Sequence, residues 1–189
     1  MVRDFVRVAI PVMWIAWIVY WLVAARDTKR TRWRQPLGPE ALHGIPLLLC
    51  TALLVSPRWP VALTAHILPV GIALPLFGTA LVAAGLALAV WARLHLGRNW
   101  SSKVVVKEDH ALIRTGPYRT IRHPIYTGLL LALLRTALAL GEWRGFLALI
   151  CALIGILFRV RAEEARMGET FPEYADYKQK SSALVPGLY

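Results

Sequence analysis

The segment Gly116-Pro-Tyr-Arg-Thr-Ile-Arg-His-Pro-Ile-Tyr-Thr-Gly128 is the most informative part of the sequence, because it stands directly before a long apolar run. The run covers residues 129–158, and its few charged side chains are gathered near its middle. Its length suits two membrane-crossing helices joined by a tight turn. Such a hairpin returns the chain to the membrane face that it left, so Arg122-His123-Pro124 and the later pair Glu163-Glu164 are predicted to lie close together.

The composition is that of a membrane protein rather than of a soluble domain. The chain of 189 residues has room for one domain, and 57% of its residues are hydrophobic. A mean hydropathy of +0.51, together with several long apolar segments, indicates several membrane spans. The net charge of +11 does not indicate nucleic acid, because the basic residues lie between apolar spans rather than on one polar face.

The apolar segments predict an all-α integral membrane protein with about five transmembrane helices and a C-terminal helical hairpin. The predicted spans are residues 5–25, 40–55, 71–94, 126–140 and 143–158. Residues 61–70 are ambiguous, since they either extend a neighbouring span or lie in the membrane interface. Small residues are frequent in the third span, which favours close helix packing in lipid. Eight tryptophans, mostly near span ends, are interpreted as interfacial anchors.

The basic residues predict an orientation in the membrane. With the N-terminus outside, 17 of the 22 lysines and arginines lie in segments on the cytoplasmic side. The strongest marker is the segment 26–34, which holds five of them. A high content of Arg, Ala and Trp suggests a bacterial source. We therefore expect an inner-membrane protein whose motifs and cofactor pocket face the cytoplasm.

The cysteines and histidines do not indicate a metal site. Cys50 and Cys151 both lie inside apolar segments, so neither a disulfide framework nor a metal cluster is indicated. His110 and His123 lack a third ligand at a suitable spacing.

The second half of the chain carries a series of motifs on both sides of the hairpin. Before it come Leu96-Gly-x-x-Trp-Ser101, His110-x-Leu-x-x-x-Gly-Pro-Tyr118 and Arg122-His-Pro-x-Tyr-x-Gly128. After it come Arg159-x-x-x-Glu-Glu164, Phe171-x-x-Tyr-x-x-Tyr177 and Pro186-Gly187. Taken together, residues 91–189 resemble the isoprenylcysteine carboxyl methyltransferase family, which is related to the phospholipid methyltransferases. Residues 1–90 match only as generic apolar helices.

The resemblance implies methyl transfer from S-adenosylmethionine, with S-adenosylhomocysteine as the product, beneath a lipid-accessible tunnel. It divides the chain into N-terminal transmembrane helices, residues 1–90, and a methyltransferase region, residues 91–189. Carried over position by position, the implied cofactor-binding residues are His110, Ala111, Leu112, Ile113, Tyr118, His123, Pro124, Ile125, Tyr126, Glu163 and Glu164. Arg159 matches the position that meets the substrate, and it is the expected catalytic residue.

The side chains at these positions suit the chemistry of that cofactor. Glu163 can accept a hydrogen bond from the ammonium or a ribose hydroxyl, and a bond to a charged group is worth about 1.5–3 kcal/mol. His123, with nearby backbone amides, can meet the carboxylate of the cofactor. Tyr118 and Tyr126 offer aromatic faces for the adenine or the sulfonium.

Two of the acidic positions also have a structural interpretation. Arg159 and Glu163 stand four residues apart on one helix face, so they could simply form a salt bridge. Glu164 points about 100° away from Glu163 on a helix. It therefore either contacts the cofactor directly or pairs with Arg161 or Arg122.

Arg159 favours an anionic methyl acceptor. A carboxylate is already ionised at neutral pH, so its methylation needs no general base. The protein then has to align the reacting atoms and exclude water, and an arginine can pair with the carboxylate through two hydrogen bonds. Transfer to an amine would instead need a neutral amine and a base such as His110 or Glu163.

The expected function is thus an S-adenosylmethionine-dependent membrane methyltransferase that acts on a lipophilic small molecule or a lipid, at a carboxylate. The alternatives are a phospholipid or amine N-methyltransferase, an NADPH-dependent sterol-type reductase and a non-enzymatic membrane scaffold. A reductase would need extra cationic groups for the 2′-phosphate. The expected partners are the substrate and membrane lipids, without nucleic acid and without an obligate protein partner.

Overall fold

The computed structural model describes residues 2–26, 31–34, 37–56, 58–68, 73–100, 105–107 and 112–187. Within them the chain forms seven α-helices, two short strands and two 3-10 turns, Gly97–Asn99 and Gly116–Arg119. In chain order the elements are α1 (Val2–Ala24), β1 (Thr31–Arg34), α2 (Leu37–Val55), α3 (Val61–Thr64), α4 (Ala73–Leu96), β2 (Val105–Lys107), α5 (Pro124–Leu140), α6 (Trp143–Thr170) and α7 (Tyr174–Gln179). The protein is therefore predominantly helical.

Each of the five predicted spans coincides with a helix, namely α1, α2, α4, α5 or α6. Two of these helices, over Gly78–Asn99 and Trp143–Thr170, are long and apolar enough to cross a membrane. The outer faces of the helices expose large apolar side chains, for example Leu22 at 64%, Leu48 at 72% and Leu94 at 65%. Such surfaces are costly in water and are expected in lipid. The number of crossings stays a prediction.

The predicted C-terminal hairpin is present. Helix α5 begins with Pro124 at its first position, where the missing N–H is harmless. It ends at Leu140 and is followed by the cap residue Gly141, whose φ of 64° is the left-handed conformation that glycine adopts readily. Helix α6 starts two residues later and continues to Thr170, twelve residues beyond the predicted end of the span at Phe158. The helix continues because the polar segment that follows is rich in Ala, Glu, Arg and Met, which are good helix formers.

Helices α4 and α5 cross at two glycines. A Cβ atom built on Gly85 would lie 2.6 Å from the carbonyl oxygen of Gly128, so a larger residue would force the helices apart. Ala89 and Ala132 are fully buried beside this crossing. The small residues of the third predicted span therefore allow the backbones of α4 and α5 to approach closely, as the sequence predicted.

Helices α1 and α2 lie on opposite sides of the α5–α6 hairpin. Helix α1 packs against α4, with Ile10 buried beside Val82 and Leu86. Helix α2 packs against α6, with Cys50 and Leu53 in its core. In the described part of the chain α1 and α2 make little direct contact with each other, so a space remains between them alongside α5.

Connections gather at two opposite ends of the helix bundle. At one end, β1 and β2 form an antiparallel ladder that joins the α1–α2 connection to the α4–α5 connection. The ladder was not predicted, although the run of valines before Lys107 favours a strand. At the other end, the ambiguous segment forms the single turn α3 and then pairs with the hairpin turn, where the Ile67 amide donates to the Gly141 carbonyl at 2.8 Å. This segment therefore does not extend α2.

Candidate functional site

The acidic end of α6 meets the start of α5, as the sequence predicted. Arg159 Nε donates to Glu163 Oε1 at 2.9 Å, and the Tyr126 hydroxyl donates to the same oxygen at 2.7 Å. The guanidinium carbon of Arg159 lies 5.8 Å from the centre of the Tyr126 ring. Glu163 is thus held by one residue from each arm of the hairpin. The salt bridge that the spacing allowed is formed.

His123 lies between the two glutamates of α6. Its Nδ1 is 3.4 Å from Glu163 Oε2, and its Nε2 is 3.4 Å from Glu164 Oε1. The second contact lacks the alignment of a hydrogen bond, so it acts through charge. The imidazole stacks on the Tyr126 ring with centroids 5.7 Å apart and planes 14° apart. Only 9% of the His123 side chain is exposed, so the ring is held in one orientation.

The surroundings of His123 favour its protonated form. Burial by itself lowers the pKa of the imidazole, because a charge is costly away from water. The charges of Glu163 and Glu164, with the hydrogen bond to Glu163, act in the opposite direction and outweigh burial, so the pKa lies above its ordinary value. The two carboxylates therefore stabilise the imidazolium form of the ring.

Glu164 faces protein cations rather than the interior of the site. Arg122 Nε donates to its Oε1 at 2.7 Å, and Lys178 Nζ lies 2.8 Å from its Oε2. Of the two pairings that the sequence left open, the structure therefore shows the one with Arg122. Glu164 is 10% exposed and Arg122 is 7% exposed, so this ion pair is mostly buried, whereas Lys178 lies at the surface.

The chain after α7 closes the site from the side. We call residues 181–184 the C-terminal strap and residues 120–123 the His123 loop. The amides of Arg122 and His123 donate to the carbonyls of Ser182 and Ala183 at 2.8 and 3.0 Å. Thr127 Oγ1 donates to the carbonyl of Leu184 at 2.6 Å. The strap is thus fastened to both the loop and the first turn of α5.

Tyr118 forms another wall of the site. Its 3-10 turn begins at Gly116, whose φ is 57° and where a Cβ would lie 2.7 Å from the His95 ring, so the position requires glycine. The Tyr118 hydroxyl donates to the Ala92 carbonyl at 3.4 Å, and its own carbonyl accepts from the Tyr177 hydroxyl at 2.5 Å. Burial raises the pKa of both phenols, that of Tyr177 to about 12, so both stay neutral donors.

A cavity of about 1030 Å³ opens beside these residues and has two unlike ends. Its polar end is lined by Arg122, His123, Tyr126, Arg159 and Glu163. Its apolar arm runs along α5 between α1 and α2 and is lined by Trp14, Trp17, Leu47, Leu54, Leu133 and Leu140. Ile15, Ile18 and Val55 line the arm and are also exposed at the surface, so the arm opens sideways between α1 and α2.

The cavity contains most of the predicted site residues. Eight of them line it: Leu112, Ile113, Tyr118, His123, Ile125, Tyr126, Arg159 and Glu163. Pro124 is fully buried at the start of α5, and Glu164 faces Arg122 and Lys178, so neither lines the cavity. His110 and Ala111 lie outside the described residues.

Some lining residues were not predicted. Trp14, Trp17 and Trp21 were interpreted as interfacial anchors, but they line the cavity, and the rings of Trp17 and Trp21 stack with centroids 4.6 Å apart. Their helical spacing of three and four places them on one face of α1, and that was the available signal. Arg166 and Met167 also line the cavity, because α6 extends beyond the predicted span.

The comparison with known families agrees with the motifs. The model of the isoprenylcysteine carboxyl methyltransferase family matches residues 77–169, which include α5 and the helix end that carries Glu163. Residues 77–169, just under half of the chain, are thus similar to the isoprenylcysteine carboxyl methyltransferase family. This match, together with the two long apolar helices, supports a membrane methyltransferase.

Two curated relatives match about half of the chain. One is the cobalt-zinc-cadmium resistance protein CzcN of Cupriavidus metallidurans, 28% identical over 96 residues that make up 49% of this chain and 44% of that protein. The other is the nickel-cobalt-cadmium resistance protein NccN of Alcaligenes xylosoxydans xylosoxydans, 26% identical over 96 residues, 49% of this chain and 45% of that protein. The matched region thus spans less than half the length of either relative.

Proposed function

We propose that the chain transfers a methyl group from S-adenosylmethionine to a lipophilic acceptor. The observation that carries this proposal is the two-ended cavity, because its polar end and its apolar arm are continuous. A charged methyl donor and an apolar acceptor can therefore meet inside one space. Their meeting point is the level of Tyr126 and Arg159, where the lining changes from polar to apolar.

The residues at the polar end fit the cofactor. The cofactor supplies an electrophilic methyl group on a sulfonium, and it also carries an ammonium, a carboxylate, ribose hydroxyls and an adenine. Glu163 offers an acceptor to the ammonium or to a hydroxyl, and the imidazolium of His123 offers positive charge to the carboxylate. Tyr118 and Tyr126 supply aromatic surface for the adenine or the sulfonium.

The acceptor that we propose is a carboxylate on a lipophilic molecule. Arg159 is held by Glu163 at 2.9 Å and lies at the border between the two ends, so it can orient an anionic group. The chain then needs only to align the acceptor oxygen and to keep water out, since a carboxylate is already a nucleophile at neutral pH. The apolar arm receives the rest of the molecule, which enters from the bilayer through the opening between α1 and α2.

The location that we propose is the bacterial inner membrane, with the site at the cytoplasmic face. The α1–α2 connection, the α4–α5 connection and the polar end of α6 share one end of the bundle. These are the segments in which most lysines and arginines lie. Basic segments are retained on the cytoplasmic side, which supports this orientation.

Calorimetry on purified protein in detergent tests the cofactor directly. Titration with S-adenosylmethionine and S-adenosylhomocysteine is expected to show binding, and titration with NADPH is expected to show none. Binding of NADPH alone would favour a sterol-type reductase, and binding of none of the three would favour a scaffold.

Two substitutions should locate the cofactor site. Glu163→Gln and His123→Ala should each weaken S-adenosylhomocysteine binding by about tenfold or more, because each removes one charge-assisted interaction. Glu173→Gln, at an exposed glutamate after α6, is the matched control and should change nothing. Unchanged affinity in both site variants would reject the assignment of the cofactor to this corner.

A labelled methyl donor identifies the acceptor. Membranes from cells with and without the protein are incubated with methyl-labelled S-adenosylmethionine, and the label in the lipid extract is measured before and after mild alkali. Label that alkali releases as methanol indicates a methyl ester and supports a carboxylate acceptor. Label that stays with the lipid would reject a methyl ester and would favour an alkali-stable product such as an N-methyl amine.

A further inference from the structure

The C-terminal strap and the His123 loop form a continuous backbone pairing. The Ser182 amide donates to the Thr120 carbonyl at 3.0 Å, and the Arg122 and His123 amides donate back to the strap at 2.8 and 3.0 Å. On its other side the strap is buried against α6, where Ala183 and Leu184 pack with Ile156 and Val160. The position of His123 therefore depends on a segment that lies about 60 residues further along the chain.

Glu164 connects the three elements that meet at this pairing. Its two oxygens contact Arg122 Nε at 2.7 Å and Lys178 Nζ at 2.8 Å. Arg122 in turn donates from its Nη1 to the carbonyls of Lys178 and Ser181. One carboxylate of α6 thus joins the His123 loop, α7 and the strap.

The neighbouring glutamates of α6 have different surroundings. Glu163 lines the cavity and contacts Tyr126 and Arg159. Glu164 does not line the cavity, and both of its oxygens face protein cations. A carboxylate with its oxygens occupied in this way has little capacity left for a ligand.

We propose that Glu164 is a positioning residue: through Arg122 and Lys178 it holds the C-terminal strap against the His123 loop and so fixes His123 beside Glu163. The statement that this corner binds S-adenosylmethionine rests on the proposed function. The statement that Glu164 organises the strap does not. Without the negative charge of Glu164, the mostly buried guanidinium of Arg122 would lose its counter-charge and Lys178 would lose its partner, so the strap would loosen.

The test uses three single variants of the whole protein in detergent. Glu164→Gln removes the charge and keeps the size of the side chain. Lys178→Met removes one partner, whose side chain is 55% exposed and lies outside the cavity. Lys180→Met is the matched control, since Lys180 is an exposed lysine two residues away and makes the same change of charge.

Amide hydrogen exchange of the free protein reports on the strap. In Glu164→Gln the peptides that cover residues 120–123 and 181–184 should exchange about tenfold faster or more, while those of α4 keep the wild-type rate. Lys178→Met should give a smaller increase in the same peptides, and Lys180→Met should give none. Wild-type exchange of these peptides in both Glu164→Gln and Lys178→Met would overturn the proposal.

Two further measurements separate positioning from direct contact. Glu164→Gln should weaken S-adenosylhomocysteine binding and lower the pKa of His123 in an NMR titration. Lys178→Met should weaken the same binding to a smaller extent, although Lys178 cannot reach a ligand in the cavity. Weaker binding in Glu164→Gln with wild-type strap exchange would make Glu164 a ligand and overturn the proposal. If no variant, including the wild type, binds S-adenosylhomocysteine and the strap still loosens as expected, the proposed function fails and the role of Glu164 in holding the strap is supported.

Discussion

At the scale of single residues, the central feature is one imidazole between two carboxylates. His123 stands at the residue before α5, and Glu163 and Glu164 follow each other on α6, so the contact needs both arms of the hairpin. Consecutive residues on a helix point about 100° apart, and the ring bridges this angle with its two nitrogens. The same pair of glutamates therefore serves two roles, one toward the cavity and one toward the strap.

His123 should give the protein a characteristic dependence on pH. The groups that face it are Glu163 and Glu164 from α6 and Tyr126 from α5. Because its pKa is raised in the folded state, its contribution to stability is fully present below about pH 6.5 and is lost as the pH rises through the raised pKa. His123→Gln should therefore lower the free energy of unfolding most at mildly acidic pH, and less above the raised pKa.

Thermal unfolding in detergent at a series of pH values measures this difference. The double variant Glu163→Gln/Glu164→Gln should show the same loss of pH dependence, because those carboxylates raise the pKa. A difference between wild type and His123→Gln that is constant from mildly acidic to alkaline pH would contradict a protonated His123.

Arg159 should affect transfer more than cofactor binding. Arg159→Ala is expected to leave S-adenosylhomocysteine affinity close to wild type and to reduce labelled methyl transfer by about 10²-fold, since the acceptor loses its orientation. Arg161→Ala, at an exposed arginine on the same helix, should alter neither quantity. Equal losses of affinity and transfer in Arg159→Ala would show that this arginine is structural or a cofactor ligand.

At the scale of elements, the hairpin positions the site and the α4–α5 crossing holds the hairpin in place. The crossing depends on Gly85 and Gly128, where each Cα faces the backbone of the other helix. Gly128 is also the last residue of the Arg-His-Pro motif, five residues after His123 and two after Tyr126. A change in the distance between the two helices would therefore move the polar end of the cavity.

Gly128→Ala tests this coupling between packing and the site. The new Cβ would lie 2.9 Å from the Ala89 amide nitrogen and would meet the backbone of Gly85, so the helices must separate. We expect a loss of stability of about 1–3 kcal/mol from overpacking, together with weaker S-adenosylhomocysteine binding. Gly168→Ala in α6, which has open space around it, should instead stabilise by about 0.4–1 kcal/mol. Thermal unfolding compares the two, and equal effects would contradict a tight crossing.

The elements themselves were largely predictable, and their mutual contacts were less so. The lengths of the apolar runs predicted five helices. The predicted hairpin returns the chain to the same membrane face, and this alone predicted that His123 lies beside Glu163. The extension of α6 to Thr170 was missed, because an apolar run measures what lies in lipid and not where a helix ends. The strap and the tryptophan face of α1 were missed because both depend on contacts between distant parts of the chain, which periodicity does not report.

At the scale of the whole molecule, the two ends of the bundle differ in chemistry. One end collects the ladder, the two glutamates of the site and the strap. The other collects the hairpin turn, where Arg144 donates to the Ser56 carbonyl at 3.3 Å and the α2–α4 connection pairs with Glu142. The chain runs up and down through α1, α2, α4, α5 and α6 in turn. Successive connections therefore fall at alternating ends of the bundle. The cavity then runs from the site toward the opposite end, which suits an acceptor that stays partly in the bilayer.

Labelling of single cysteines tests this arrangement in a membrane. In a background of Cys50→Ala/Cys151→Ala, Arg58→Cys marks the connection after α2, and Lys180→Cys marks the end that carries the site. Both native positions are exposed. With the N-terminus outside, a membrane-impermeant maleimide should label Arg58→Cys in spheroplasts of an expressing bacterium, and Lys180→Cys only in inverted vesicles. Labelling of both from one side would contradict five crossings, and the reverse pattern would place the site on the outer face, away from cytoplasmic S-adenosylmethionine.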